Sequence, residues 1–538
     1  MLVVGGGIYG AAIAWEATLR GLSVALVERD DFGSQTSANS LKIIHGGLRY
    51  LQHLDLKRVR RSATERRVLM RIAPHLVHPL ASLIPTYQRD LRGKSAMSAA
   101  MTVYDLLTID RNAGADPSKH VPRGRLLSRA ACLDRFPWIP ADGLTGGAVY
   151  YDAQVFNSER LVLAFVRSAA DAGAIVANYA EATMLLQSGS KVKGVRVQDR
   201  LTGQQLDVPA KTIVDASGPW NWFDRISQTG PPARQVAWAK AFNVIVRRTL
   251  GDLAVGVMSR SSARGVGESK RLFFLAPWRS YCMIGTSYSA ESEAPDSTIV
   301  SRDEVVAFLE DLNAAVPALQ ISPDEVTFVH RGLLPMDAVS NSGKEVRLRT
   351  RPEIAEQSAT GFAGLVIVRG VKYTTARKVA VETVDRLFPL LTKQPKPSRS
   401  DSVPLRGGQI DNLAALLQGK LEQYRGSIDG EQVRDLVMEY GTDLDDVVKA
   451  SEKGQLSPGD ILRLRIEYAV RHEMAVTLSD IVFRRTSLGS ACHPGSDVLH
   501  QAARSMASAL GWDSARTAQE VEAVNAHYPD WLSSPATV

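Results

Sequence analysis

Residues 2–10 read Leu-Val-Val-Gly-Gly-Gly-Ile-Tyr-Gly, and this stretch decides the fold. A short apolar strand leads into three glycines with the spacing Gly-x-Gly-x-x-Gly, and an apolar helical stretch follows. A second apolar strand, residues 24–27, then ends at Glu28. This order of strand, glycine turn, helix, strand and acid predicts a dinucleotide-binding βαβ unit within a doubly wound parallel sheet.

Each part of this turn has a physical role in holding a nucleotide. The first glycine permits the tight turn, the second lets the backbone approach a pyrophosphate, and the third lets helix and strand pack closely. The helix N-terminus offers free N–H groups to the phosphates, and Glu28 can accept hydrogen bonds from a ribose diol. The predicted cofactor contacts here are Gly5, Gly7, Ile8, Tyr9, Gly10, Glu28, Arg29, Thr36 and Ser37.

A second glycine signal narrows the choice of cofactor. Residues 212–218 read Thr-Ile-Val-Asp-Ala-Ser-Gly, which is a buried strand running into a glycine turn. A classical NAD domain does not need this second turn, whereas a protein that wraps one extended FAD with several chain segments does. We therefore expect FAD, with Ala216, Ser217 and Gly218 among its contacts.

Length, cysteine content and net charge limit the class of protein and its cellular compartment but do not indicate a function. The 538 residues predict two or more domains, and no apolar run approaches the roughly 20 residues that span a bilayer. Cys132, Cys282 and Cys492 form no CxxC pair, so we expect no metal site, no disulfide framework and a cytoplasmic setting. The net charge of +7 suits an anionic substrate or lipid surface, and we find no nucleic-acid-binding module. The N-terminus lacks the basic region of a signal peptide, and the short first strand indicates a native start a few residues upstream.

Sequence patterns in the rest of the chain predict further helices, strands and a linker. Residues 158–173 predict a helix, and 191–209 predict a hairpin. From about 225 to 335, strand-like runs predict a substrate-side sheet, and 362–388 return to strand, glycine turn and helix. Residues 393–400, rich in proline and charge, predict an exposed linker, beyond which the sequence is mostly helical.

Four motifs resemble those of the FAD-dependent glycerol-3-phosphate dehydrogenases. Residues 44–51 read Ile-His-Gly-Gly-Leu-Arg-Tyr-Leu, close to a family signature, and 216–220 are similar to the family's Ala-Thr-Gly-Pro-Trp. Residues 369–378 are similar to its Gly-Gly-Lys-Leu-Thr-Thr-Tyr-Arg-Lys, and 468–489 resemble its C-terminal helical signature. The resemblance covers nearly the whole chain.

The resemblance implies an α/β fold in which a Rossmann-like FAD-binding domain of the glutathione-reductase type is interleaved with a β-rich substrate domain. An all-helical C-terminal domain follows. The implied FAD-binding domain comprises residues 1–75, 150–225 and 335–392, the substrate domain 76–149 and 226–334, and the helical domain 401–538.

The resemblance also implies a reaction, the oxidation of sn-glycerol 3-phosphate to dihydroxyacetone phosphate. A hydride would leave the carbinol carbon for flavin N5 while a base takes the hydroxyl proton, and electrons would pass on to quinone or oxygen. Arg49 and Lys372 are the implied anchors of substrate or phosphate, and Arg349 is a further basic candidate. The further implied flavin contacts are His45, Gly46, Gly47, Leu48, Gly370, Lys372, Tyr373 and Thr374. A homodimer is compatible with the resemblance.

Two departures from the family pattern concern the substrate pocket. The family has Gly-Val-Arg-Pro-Leu or Gly-Leu-Arg-Pro-Leu where this chain has Leu334 in the arginine position. It has Lys-Gly-Ser-His where this chain ends in Asn243, which can hydrogen-bond but is no base near neutral pH. His330 is a candidate for the lost proton acceptor, and a packed histidine is the simpler interpretation. The departures leave open a flavin enzyme for another polyol phosphate, hydroxy acid or amine, and a flavin-binding protein without turnover.

Residues 57–71 form a predicted helix with many cations. One interpretation is a solvated face, and the other is contact with anionic lipid by an enzyme on the inner face of the plasma membrane. The cations are Lys57, Arg58, Arg60, Arg61, Arg66, Arg67 and Arg71.

Overall fold

The computed structural model describes residues 1–87, 94–226, 237–259, 271–291, 295–337, 346–391, 394, 396–449 and 454–532. Its strands, in chain order, are β1 (Leu2–Val4), β2 (Ala25–Val27), β3 (Ile43–Ile44), β4 (Val77–Tyr87), β5 (Arg125–Ser128), β6 (Leu144–Val155), β7 (Ile175–Ala177), β8 (Ala180–Ser188), β9 (Lys191–Asp199), β10 (Gln205–Pro209), β11 (Ile213–Asp215), β12 (Ala237–Val246), β13 (Ala254–Met258), β14 (Leu272–Trp278), β15 (Tyr281–Glu291), β16 (Val326–Met336), β17 (Glu353–Glu356) and β18 (Leu365–Arg369).

The helices are α1 (Ile8–Leu19), α2 (Leu56–Ile72), α3 (Lys94–Leu107), α4 (Arg129–Arg135), α5 (Ser158–Asp171), α6 (Trp222–Ile226), α7 (Arg302–Ala315), α8 (Ala376–Leu391), α9 (Leu413–Gln423), α10 (Gly430–Tyr440), α11 (Leu444–Val448), α12 (Pro458–His472), α13 (Leu478–Asp480), α14 (Ser496–Leu510) and α15 (Ser514–Asn525). A π-helix, Ile481–Arg485, follows α13. No helix in the described ranges is both long and apolar enough to cross a bilayer.

The central sheet has the strand order β17-β18-β11-β1-β2-β7. All neighbouring pairs in it run parallel except β17 with β18. The alanine-rich helix α1 packs against both α5 and α8 because its small, buried side chains allow close approach. This is the predicted doubly wound sheet, and the predicted α/β fold class is confirmed.

A second, larger sheet forms the substrate side. Its order is β16-β12-β15-β14-β13-β4-β6-β3, with β5 beside β6, and β13 with β4 is its parallel pair. Helix α7 covers part of it through buried Phe308 and Leu312. A small sheet, β10-β9-β8, contains the predicted hairpin, with Gln205 opposite Gln198.

Two strands do not follow the predicted domain boundaries. Strand β3 lies within residues 1–75, yet it pairs with β6 in the larger sheet. Strand β6 runs continuously through residue 150, where a boundary was predicted. The chain therefore passes between the two sheets within single elements.

The predicted linker lies partly outside the described residues, at positions 393 and 395. The described part is attached to the FAD-side helices. Ser398 donates to Glu16 at 2.9 Å, Arg20 donates to the carbonyl of Lys396 at 2.6 Å, and Ser400 is fully buried. The prediction of an exposed linker is confirmed for residues 394, 396, 397 and 399 and is wrong for Ser400, which is buried. Polar side chains at the end of α1 hold this segment in place.

Candidate active site

A cleft of about 380 Å³ lies where four neighbouring parallel strands end. Gly5 follows β1, Glu28 follows β2, Ala216 follows β11 and Gly370 follows β18, and all four line the cleft. The opposite wall comes from β12, β15 and β16 of the larger sheet. Open α/β sheets bind ligands at this end of their strands, so the fold itself marks the cleft as a ligand site.

The floor of the cleft requires glycine. A Cβ on Gly5, whose φ is +100°, would lie 2.7 Å from the carbonyl oxygen of Ala216. A Cβ on Gly10 would lie 1.8 Å from the carbonyl oxygen of Gly5. Gly7, the N-cap of α1, has no side chain to cap the helix, although the hydroxyl of Ser37 accepts from the N–H of Ile8 at 3.0 Å. The positive end of the helix dipole faces the cleft, where it favours an anionic ligand.

Glu28 is fixed at the end of β2 by two backbone donors. Its Oε2 accepts from the N–H of Gly6 at 2.6 Å, and its Oε1 accepts from the N–H of Asp30 at 3.0 Å. Burial raises the pKa of Glu28 to about 7. Each carboxylate oxygen keeps a further lone pair, so the side chain can still accept hydrogen bonds from a ligand diol.

Tyr9 connects the first glycine turn to the last one. Its hydroxyl donates to the carbonyl of Lys372 at 2.7 Å and accepts from the N–H groups of Lys372 and Val371 at 3.0 and 3.1 Å. A Cβ on Gly370 would lie 1.9 Å from the Tyr9 ring. These contacts hold together two cleft segments that are 363 residues apart.

A second cavity of about 730 Å³ adjoins the cleft. The two share four lining residues, Leu41, His45, Tyr50 and Thr286. The second cavity extends between β4, β13, β14 and α3, where its walls are largely apolar. The shared residues therefore mark the place where a substrate in the second cavity would meet a cofactor in the cleft.

His45 stands at this junction and is oriented by a buried carboxylate. Its Nδ1 lies 3.0 Å from Oδ2 of Asp152, whose Oδ1 accepts from the N–H of Gly46 at 2.6 Å. The side chain of His45 is 45% exposed, and that of Asp152 is 2% exposed. An aspartate that accepts from Nδ1–H leaves Nε2 free to accept a proton. Our sequence reasoning missed Asp152, whose one signal is an acid within a strand-like run.

Four cations surround the ring of Tyr50 or lie close to it: Arg49, Arg58, Arg351 and Lys372. The Lys372 ammonium lies 3.8 Å from the ring centroid, and the Arg58 guanidinium carbon lies 4.2 Å from it. Burial and the charge of Arg49 lower the pKa of Lys372 to about 8. Burial and the charges of Arg351 and Arg49 also lower the pKa of Arg58, against the opposing effect of Asp55.

These four residues, the cationic cluster, form no close ion pair, although Asp55 and Glu382 line the same groove and Asp55 partly offsets the charge of Arg58. Within the described chain, none of their side chains has a carboxylate at ion-pair distance. Arg58, Arg351 and Lys372 line a further groove of about 450 Å³, and Lys372 also lines the cleft. Like charges held together without acids attract an anion, and guanidinium groups suit phosphate or carboxylate.

Comparison with known proteins agrees with this geometry. Residues 1–386 match the family model described as FAD dependent oxidoreductase. The chain belongs to this FAD-dependent oxidoreductase family. Residues 398–517 match a second model, the C-terminal domain of alpha-glycerophosphate oxidase.

Relatives of this oxidoreductase extend over nearly its whole length. It is 30% identical to the glycerol-3-phosphate dehydrogenase of Synechocystis sp., covering 97% of this chain and 95% of that protein. It is 32% identical to glycerol-3-phosphate dehydrogenase 2 of Mycobacterium tuberculosis, covering 97% and 86%. The X-ray structure of the glycerol-3-phosphate dehydrogenase from Bacillus halodurans complexed with FAD matches with a TM-score of 0.76. That match covers 98% of this chain and 93% of the other at 24% identity, and it shows a shared fold.

The residues present in this oxidoreductase fit FAD. The glycine cradle and the uncapped helix suit a diphosphate, Glu28 suits a ribose diol, and the cleft continues past Tyr9 to Lys372. The predicted cofactor residues that line the cleft are Gly5, Gly7, Ile8, Tyr9, Glu28, Arg29, Thr36, Ser37, His45, Ala216, Ser217, Gly218, Gly370, Lys372, Tyr373 and Thr374.

Four predicted cofactor residues lie elsewhere. Gly47 and Leu48 line the second cavity, and Gly10 packs beneath the turn. Gly46 lines neither cavity, because a Cβ there would lie 2.1 Å from the hydroxyl of Tyr104. The two glycines after His45 thus serve close packing and the turn rather than the cleft wall.

His330 does not have the predicted role of proton acceptor. It is 2% exposed, its Nε2 donates to the carbonyl of Ser490 at 2.9 Å, and its ring packs against Trp278 and Phe328. Burial lowers its pKa well below the usual value. It lines neither the cleft nor the second cavity, so it packs the core beside the C-terminal domain.

Arg349 is also misassigned as a substrate anchor. Its guanidinium lies 2.6 Å from Glu353 and 3.7 Å from Asp337, and these acids neutralise it. Arg351, two residues later, belongs instead to the cationic cluster. The two arginines lie two positions apart before β17, and the sequence does not say which of them faces the groove.

Asn243 and Leu334 both line the cleft, as their predicted importance requires. Oδ1 of Asn243 accepts from the hydroxyl of Thr286 at 2.8 Å, so its polar group is engaged beside the junction of the two cavities. Leu334 contributes an apolar wall. The structure thus places both departures from the family pattern at the site itself.

Proposed function

We propose that this oxidoreductase oxidises sn-glycerol 3-phosphate to dihydroxyacetone phosphate. The observation that carries the proposal is the cationic cluster without paired acids at the edge of the FAD cleft. Of the cluster, Arg49 lines the second cavity and Lys372 lines the cleft, so these two cations can meet the phosphate of a substrate at the junction of the two cavities. The oxygens of a phosphate match guanidinium geometry. The names of the relatives that align over nearly the whole chain support the same substrate.

In the proposed reaction, bound FAD supplies the acceptor for two electrons. The cationic cluster holds the phosphate end of the substrate and thereby fixes the position of the carbinol. Nε2 of His45 accepts the hydroxyl proton, and Asp152 stabilises the imidazolium that forms. The N–H of Gly46 holds Asp152 in place beside His45.

The electrons then pass to a quinone or to oxygen, and a quinone lies in a bilayer. An apolar patch suited to a bilayer surface lies where α2 begins and α3 ends. Its members are 42% to 81% exposed and comprise Leu54, Leu56, Val103, Leu106 and Ile109. Arg60 joins the two helices by donating to the carbonyl of Leu107 at 3.0 Å, and Lys57 and Arg58 flank the patch. Exposed apolar side chains beside cations favour an anionic membrane, so we propose peripheral attachment from the cytoplasm.

The rest of the basic helix does not take part in this attachment. Arg66 is 1% exposed and donates to Tyr104 at 3.0 Å, and Arg61 lies 3.1 Å from Glu382. Arg60 and Arg67 both bond to Asp110. The seven cations therefore do not all share one solvated side, because Arg66 is buried and Arg61 is paired, and we propose that the first turn of α2 meets the membrane.

Sedimentation with vesicles tests the attachment. The double variant Leu106→Ser, Ile109→Ser should lose binding to phosphatidylglycerol vesicles, whereas Leu201→Ser, 53% exposed on the small sheet, should retain it. Equal binding by both variants would exclude the patch as the attachment surface.

Leu334 and Asn243 favour a second candidate function. Both line the cleft, and neither offers the charge or the base that the family pattern places there. An enzyme for another polyol phosphate, hydroxy acid or amine would suit this more apolar wall. The cationic cluster would still favour an anionic substrate.

Anaerobic bleaching of the bound flavin distinguishes the candidates. Glycerol 3-phosphate should bleach the yellow enzyme at concentrations where glycerol, which lacks the phosphate, does not. Bleaching only by glycerate or by amino acids would replace the proposed substrate. A flavin that dithionite bleaches but no member of the panel does would indicate a binding protein without turnover.

A further inference from the structure

The segment that leaves β2, residues 28–37, supplies much of the cleft wall without regular secondary structure. Its members that line the cleft are Glu28, Arg29, Gly33, Ser34, Gln35, Thr36 and Ser37. A segment outside helices and sheets keeps its shape only through specific side-chain and turn contacts. We call residues 28–37 the cofactor segment.

Asp31 is the buried carboxylate in the middle of the cofactor segment. It is 1% exposed and does not line the cleft. Its Oδ2 accepts from Arg484 and, at 2.6 Å, from Arg485, while its Oδ1 accepts from Arg485 at 2.8 Å and from Asn178 at 3.0 Å. Burial opposes ionisation, yet the charges of Arg485 and Arg484 hold the pKa of Asp31 below its usual range.

The two arginines come from the C-terminal domain, at the end of the π-helix Ile481–Arg485. Arg485 also donates to the carbonyl of Glu473 at 2.8 Å, and Arg484 lies 2.6 Å from Asp480. The carboxylate of Glu473 is itself held by Arg160 and Arg167 at 2.9 and 3.1 Å. The guanidinium of Arg485 is therefore held in position by contacts within the C-terminal domain as well as by Asp31.

We propose that Arg484 and Arg485 are positioning residues for FAD, because they fix the cofactor segment through Asp31. The C-terminal domain thus controls how tightly the cleft retains its cofactor, although neither arginine lines the cleft. This inference depends on FAD binding and does not depend on which substrate is oxidised.

Arg406 provides a matched control. It joins the same two parts of the chain through Asp171 at 3.1 Å and, by its backbone N–H, through Ser168, and it also pairs with Asp443 of its own domain at 2.6 Å. It has no hydrogen bond or ion pair to the cofactor segment. Removing either arginine weakens the attachment of the C-terminal domain. Only the removal of Arg485 also takes two hydrogen bonds from Asp31, which keeps those from Arg484 and Asn178.

The test compares full-length Arg485→Met and Arg406→Met by flavin fluorescence, titrating apoprotein with FAD, and by thermal unfolding of the apoprotein. Arg485→Met should raise the Kd for FAD by about tenfold or more, which corresponds to about 1.4 kcal/mol. Arg406→Met should change it by less than about twofold, even where both variants unfold at a similar lower temperature. Equal Kd values for the two variants at matched loss of stability would overturn the proposal.

Asp31→Asn keeps the test decisive if Arg485→Met does not fold. The amide keeps the size of the side chain and removes the charge that the fork recognises. Asp31→Asn should also weaken FAD binding, and Asp31→Asn combined with Arg485→Lys should be little weaker than Asp31→Asn alone. Additive losses, or an unchanged Kd in Asp31→Asn, would show that the arginines do not act through Asp31.

Discussion

The charge of Lys372 should make substrate capture depend on pH. Burial and Arg49 lower its pKa to about 8, so the free enzyme loses this charge as the pH rises through that value. The ammonium is about nine-tenths charged at pH 7 and about one-tenth charged at pH 9. A phosphate monoester is close to a dianion across the same range, because its second pKa is about 6.

The size of the effect follows from these fractions. If only the charged lysine binds phosphate, kcat/KM for glycerol 3-phosphate should fall about tenfold between pH 7 and pH 9. Lys372→Met removes the charged hydrogen bond, which is worth about 1.5–3 kcal/mol, so kcat/KM should fall roughly 10- to 150-fold at pH 7. The remaining activity should lose its decline above pH 8.

Steady-state kinetics with an artificial electron acceptor measures these values, with FAD content checked at each pH because Glu28 titrates near 7. Lys372→Arg stays charged, so it should show no decline between pH 7 and pH 9. The reasoning is refuted if Lys372→Met keeps the same decline as the unaltered enzyme.

His45→Gln should lower kcat by about 10²- to 10⁴-fold with FAD content unchanged, and unaltered turnover would remove His45 as the proton acceptor. Gly370→Ala places a methyl group 1.9 Å from the Tyr9 ring, so the purified protein should contain little FAD by flavin absorbance. Gly419→Ala meets no atom within 4 Å and serves as its control, with full FAD content expected. Leu334→Arg should lower KM for glycerol 3-phosphate by about tenfold, as one added charged hydrogen bond would. An increase in KM would show that the phosphate lies away from this wall.

The parts of the fold that the sequence predicted correctly follow short-range rules. The glycine spacing in residues 2–10 identifies the turn because a Cβ at Gly5 or Gly10 would clash with backbone. The hairpin in 191–209 follows from alternating strands and a glycine turn. Each of these features depends on residues close together in the chain.

The errors concern groups that are brought together only by the fold. Arg349 and Arg351 are both arginines and lie only two positions apart, so the sequence does not distinguish them. In the structure, Glu353 and Asp337 neutralise Arg349. Asp152 acquires its role because β6 carries it to His45, 107 residues away. A sequence without an alignment contains no signal for such pairings.

Arg66, in helix α2, is another residue whose environment the sequence alone did not predict. Its position among other cations predicted exposure, yet it lies beneath the turn that carries His45 and bonds to the carbonyl of Tyr151. Its charge is balanced inside the protein by the buried carboxylate of Asp152 at 3.8 Å, together with the carbonyl of Tyr151 and the hydroxyl of Tyr104. Composition alone does not distinguish such an arginine from a solvated one.

The position of β1 in the central sheet has a consequence for biosynthesis. β1 lies between β2 and β11, and β11 leaves the ribosome only after residue 215. Arg485, the partner of Asp31, is synthesised 454 residues after it. At a translation rate of about 5–20 residues per second, this takes roughly 20–90 seconds. During that interval the nascent chain carries an unpaired strand edge and an uncompensated acid. Final acquisition of FAD is therefore expected after release of the complete chain, and truncation before Arg484 should leave a product that chaperones and proteases recognise.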